Sequence, residues 1–207
     1  MALVKYNNNS ISAVTSAASV PSGAMTLIKT LTASSSATLS FVHGASDVVL
    51  DSTYPIYVFK FINIHPASNA DFTVNFRDGG SAYDATKTTT FFHAQSNEAG
   101  NYSDLSYQAG NDVAQGTGSA TVARQIGTGN DESCSGELTL FNPSSTTFVK
   151  HFISRAFAYQ NISAQYNSDN YGAGYCNVTA AIDGVQFAMA SGNIDSGIIK
   201  LYGIKDS

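Results

Sequence analysis

The sequence predicts an all-β protein: a two-sheet antiparallel sandwich of the jelly-roll kind, carrying an extended N-terminal arm. Three observations predict it. Residues that favour helix are few: Glu occurs only at Glu98, Glu132 and Glu137, and Leu is scarce, whereas Thr, Tyr, Phe, Val and Ile are abundant and suit a pleated, half-buried surface. From Met25 onward, short apolar runs recur at fairly regular intervals between clusters of Ser, Asn, Asp and Gly, the pattern of a sandwich or barrel. No stretch carries the period of a long amphipathic helix, and no repeat is evident. A chain of 207 residues can bury a sizeable core unaided, and all-β chains of this size are commonly one domain.

Residues 1–24 mix Asn, Ser, Ala and Val without a clear period and end at the break Pro21-Ser22-Gly23. They hold too few large apolar groups for a core of their own, so they are expected to form an arm that stays mobile or lies along a neighbouring surface. Leu3, Val4, Lys5, Tyr6 and Asn7 are its candidate partner contacts. The β domain is assigned to residues 25–207.

Residues 25–32 and 37–42 flank the small tract Ala33-Ser34-Ser35-Ser36 and read as a hairpin. Residues 54–64 have apolar groups on both faces, which predicts a central strand. Residues 71–77 alternate strictly and suit a strand with one face in water, ended by Asp78-Gly79-Gly80. A strand over 88–93 precedes a polar, glycine-bearing excursion at 94–118. Strands follow at 120–125, 136–141 and 146–155, the last two joined by the turn Asn142-Pro143-Ser144-Ser145. Asp183-Gly184 is the strongest turn signal and predicts a type I′ hairpin between 173–182 and 185–190. Residues 196–204 close the domain with Ile199, Leu201 and Gly203 on one face, giving about ten strands.

Composition also bounds function. Ten scattered Lys and Arg residues and a net charge of −5 leave no footprint for a phosphate backbone, so no nucleic-acid partner is expected. No apolar run approaches the roughly 20 residues that span a bilayer, so membrane insertion is not expected. Asn7-Asn8-Asn9 falls where the apolar part of a secretion signal would lie, so no cleaved signal is expected and the sequons at Asn8, Asn101, Asn161 and Asn177 are read as composition. Cys134 and Cys176 are expected to be free thiols.

The chemistry-bearing residues do not assemble into a motif. His43, His65, His93 and His151 lack metal-binding spacing, and no Gly-x-Ser-x-Gly nucleophile turn is present. Asp131, Glu132 and Glu137 form the only acidic cluster and read as a solubilising loop rather than an acid and base pair. Residues 77–84 carry Asp78 and Asp84 but not the ligand pattern of a calcium loop, and a hairpin turn is the better reading. The expectation is therefore no catalytic residue, no cofactor and no metal. Tyr102, Tyr107, Tyr166 and Tyr171 lie in polar stretches and are the candidate contacts for a sugar or a protein partner, on loops at 94–118 and 164–175.

Three segments carry a likeness: residues 4–10 (VKYNNNS), residues 140–152 (LFNPSSTTFVKHF) and residues 192–205 (GNIDSGIIKLYGIK). Together they resemble virion proteins of marine tailed bacteriophages. That resemblance implies a non-enzymatic β-sandwich on the outer surface of the particle, decorating or cementing the capsid as a homotrimer in contact with the major capsid protein or other virion proteins. The second reading it allows is a tail or fibre adhesin that binds a host-surface glycan through the tyrosine-bearing loops. It transfers no catalytic or binding residue.

Overall fold

The computed structural model describes residues 25–161 and 165–205, so the expected arm and its contacts Leu3, Val4, Lys5, Tyr6 and Asn7 lie outside the described residues. Twelve strands follow in chain order: β1 (Met25–Ser36), β2 (Leu39–Val42), β3 (Ile56–Pro66), β4 (Ala70–Arg77), β5 (Lys87–Ser96), β6 (Ser103–Tyr107), β7 (Ala120–Ile126), β8 (Cys134–Phe141), β9 (Lys150–Asn161), β10 (Gln165–Cys176), β11 (Gly184–Met189) and β12 (Ile194–Ile204). Every pairing between them is antiparallel.

Eight of these strands make the sandwich. One sheet runs β1-β12-β3-β8 and the other β2-β11-β4-β7, which is the interleaved order of a jelly roll. The other four strands arrive as two insertions, β5 and β6 between β4 and β7, and β9 and β10 between β8 and β11. They prolong the first sheet past β8 in the order β9-β10-β5-β6, and a bridge from Gln160 to Ile126 ties this extension back to β7, nearly closing a barrel.

Alternation builds the core. Tyr57, Phe59 and Phe61 of β3 point one way and are buried, as the predicted central strand requires. Phe187 of β11 sits opposite them, 5.4 Å from Phe59 and 5.2 Å from Phe61 between ring centroids, and stacks on Phe72 of β4 at 5.7 Å. Aromatic pairs at such distances add attraction beyond their buried area, so this cluster fastens sheet to sheet. On the closing strand Ile199, Leu201 and Gly203 are buried.

Three local expectations fail. Residues 25–42 are not a hairpin, because β1 pairs with β12 and β2 with β11 in the opposite sheet. The serine tract marks a chain reversal, but local polarity cannot tell a hairpin from a crossing between layers. Asp183-Gly184 does not join paired strands either: β10 ends at Cys176, and Gly184 lies between Val42 and Arg77 of β2 and β4. Glycine suits the close approach there, since a Cβ would stand a tight 3.1 Å from that of Arg77, while Asp183 grips the Arg77 guanidinium through bonds of 2.8 and 2.9 Å. Residues 78–86 likewise lead from the second sheet into the extension rather than around a hairpin.

Candidate functional site

The extension inverts the usual polarity of a strand pair. In β10 the inward positions are Ser168, Asn170, Gly172, Gly174 and Cys176, while Asp169, Tyr171, Ala173 and Tyr175 face outward. Small inward groups are required: a Cβ on Gly172 would crowd Ser154 Oγ at 2.6 Å, and one on Gly174 would meet the Phe152 ring at 2.8 Å. The large side chains are thereby left on the solvent side, where β9, β10, β5 and β6 carry them in register.

One row across the strands reads Glu137, Arg155, Tyr171, Phe92, Tyr107; the next reads Phe157, Asp169, Ala94, Leu105; and Ile153, Ala173 and Thr90 form a third. Ile153, Phe157, Leu105 and Tyr107 are each more than half exposed, and Phe92 is 39% exposed. Strand spacing and the two-residue repeat give three rows on this four-strand face an area of roughly 400 Å². Part of it is the charged pair Arg155 and Asp169, and the apolar remainder is of the order of the largest patch on an ordinary monomeric protein, where interaction surfaces are often found. A shallow groove of about 470 Å³ crosses it between Ile153, Ala173 and Thr90 on one side and His151, Tyr175 and Thr88 on the other.

All four tyrosines singled out in the sequence lie on this extension, three of them in strands rather than loops. Tyr107 is in β6, Tyr166 and Tyr171 are in β10, and Tyr102 immediately precedes β6. Tyr171 is enclosed on both flanks: Phe92 stacks on it at 4.7 Å with a 2° interplanar angle, and from the other neighbouring strand the Arg155 guanidinium lies 5.0 Å from its ring centre. Tyr102 and Tyr166 lean on each other at 4.8 Å. The Tyr107 hydroxyl donates to Asp112, a bond that raises its pKa. Phe92, Leu105, Ile153 and Phe157 were not singled out in the sequence; strict alternation with small or buried partners is the signal that could have found them.

Charges on this side are internally balanced. Lys60 meets Glu137 at 2.7 Å and Arg155 meets Asp169 at 2.6 Å, the latter pair holding the carboxyl below and the guanidinium above their ordinary pKa values. Beneath the face lies a polar layer. His93 is buried, with Nε2 3.0 Å from the Gln108 side-chain nitrogen, and Gln108 Oε1 accepts from Arg124 at 2.8 Å. Nε2 also lies 3.2 Å from Ser106 Oγ, and Nδ1 has no hydrogen-bond partner among the described residues. Burial first, and Arg124 second, push the His93 pKa down, against the opposing pull of Asp104.

The remaining candidate groups do not converge. His43 Nδ1 accepts from the Leu50 N–H, His65 Nε2 donates to the Gly129 carbonyl, and His151 rests near Tyr175. Glu132 is buried and accepts from Gly129 N and Asn161, Glu137 is paired to Lys60, and Asp131 is exposed. Cys134 and Cys176 are separate buried thiols, each pushed up to about 12 by burial. Among the described residues no group of three or more His, Cys, Asp or Glu is placed to hold a metal ion, and no helix is long and apolar enough to cross a membrane.

No known protein family, curated protein or solved structure matches the chain. Its class therefore rests on strand order: an antiparallel jelly roll with a four-strand extension and an apolar outer face on that extension.

Proposed function

We propose that this chain is a non-enzymatic virion structural protein that decorates the head of a tailed phage, docking on the shell through the outer face of β9-β10-β5-β6. The sequence resemblance supplies the setting. The observation that carries the docking role is the exposed, charge-balanced apolar face, which suits a protein surface better than a glycan. Sugars stack on open ring faces, yet both flanks of Tyr171 are occupied and Tyr102 is turned against Tyr166. Of the side chains more than half exposed there, Leu105 and Ile153 offer no ring, and Tyr107 and Phe157 stand on the two outermost strands, β6 and β9, too far apart to stack on one sugar together.

Magnitudes favour a further contact as well. A standard interface buries about 800 Å² on each partner, more than this face supplies, so in this reading the remainder falls to residues 1–24, with Leu3, Val4, Lys5, Tyr6 and Asn7 leading. In the same reading the protein acts as a homotrimer where shell subunits meet, and it reinforces the shell by binding only the assembled state. Co-sedimentation of purified protein with emptied heads and with isolated tails tests this. Saturable binding to heads is expected; binding to tails or host cells alone would transfer the protein to the adhesin role.

A further inference from the structure

A second feature lies at the margin of the docking face, beyond Phe157. Two adjoining cavities, of about 480 and 270 Å³, share Asp131 and Ser133. The first is walled by Asn63, His65 and Asp195 and the second by Phe157, Asn167 and Glu98. Their common wall is held in place: buried Glu132 accepts from Gly129 N at 2.5 Å and from Asn161 at 2.7 Å, and His65 donates to the Gly129 carbonyl at 3.2 Å. Asn130, Asp131, Asn167 and Ser196, by contrast, make no side-chain hydrogen bond among the described residues. Donors and acceptors left uncommitted on a fixed wall are what a polar ligand needs, because little ordering remains to be done on binding.

The kind of ligand follows from the groups present. Neither cavity is lined by Lys or Arg, while Asp131, Glu98 and Asp195, the last 3.7 Å from His65, are carboxylates, so charge disfavours phosphate, sulfate and acidic sugars. The acidic groups are too dispersed for a metal ion. An organic amine would use the carboxylates but leave the amide and hydroxyl donors idle. Hydroxyl groups use both, donating to carboxylates and accepting from amides, and Phe157 offers a half-exposed ring to the C–H face of a sugar. We infer that the paired cavities form a binding site for an uncharged saccharide of at least two rings, which borders the docking face and shares Phe157 with it.

The test is a titration of the full ¹⁵N-labelled chain with maltose, lactose, cellobiose and diacetylchitobiose, each to about 20 mM, the range in which weak sites fill. Sialyllactose, spermidine and calcium serve as the charged comparisons. Expected are saturable amide shifts at Asp131, Ser133 and Phe157 with at least one neutral disaccharide, absent with sialyllactose and weakened about tenfold or more by Asp131→Ala or Asn167→Ala. Asp131 is exposed, so its variant should keep the fold. The inference is overturned if none of the four disaccharides shifts those amides, if only spermidine or calcium does, or if both variants bind as the parent does.

Discussion

Single residues fasten this fold at three places of different chemistry. Phe187 touches rings from both sheets, so Phe187→Ala leaves a cavity at the centre and should cost about 3–5 kcal/mol in chemical denaturation. Lys150 is fully buried and shares its three N–H donors among the carbonyls of Ser145, Phe148, Val178 and Ala180, joining the loop before β9 to the one after β10. Burial holds its ammonium below the usual lysine value, yet Lys150→Met would strand those carbonyls, and a loss of about 2–4 kcal/mol is expected. His93 sets a pH dependence. Its folded pKa is depressed below 6.5, so the unfolded chain binds the extra proton first and stability falls as pH drops through 6.5 toward the folded value. Denaturation at pH 7.5 and 5.5 should show that loss in the parent and a smaller one in His93→Gln. An equal loss in both would remove His93 from the account. The carboxylates with lowered pKa, Asp51 and Asp169, act only in a more acidic window, below about pH 4.

Among the elements, legibility followed the direction of the apolar groups. Strands β3, β4 and β12 point large apolar groups inward, and their position and burial were readable from alternation alone. β10 could not be read in that way. Its buried positions hold serine, asparagine and glycine, and its tyrosines face out, so the segment carries the composition of a loop. The misread hairpins have a related cause: turn residues report a reversal of the chain, whereas the partner of β1 lies at the far end of the sequence, in β12. The candidate site was legible only as tyrosines, since the register that sets Phe92 beside Tyr171, and Leu105 beside Ala94, is a tertiary fact. At this scale the outer face should be dispensable for folding. Leu105→Asp, at 72% exposed, is expected to change stability by no more than about 0.5 kcal/mol, as read by thermal unfolding.

As a whole, the molecule is a jelly roll that spends its two insertions on widening one sheet, and the widening creates the face on which the proposed docking rests. A net charge of −5 makes balance on that face consequential, since the paired Lys60, Glu137, Arg155 and Asp169 let it approach another protein without a local field of one sign. The most direct measurement is the binding isotherm on emptied phage heads for the parent and for an Ile153→Asp, Leu105→Asp double variant of unchanged thermal stability. The account predicts saturable binding by the parent and a loss of about tenfold or more in the variant, equivalent to about 1.4 kcal/mol. Equal binding by the two proteins would contradict it.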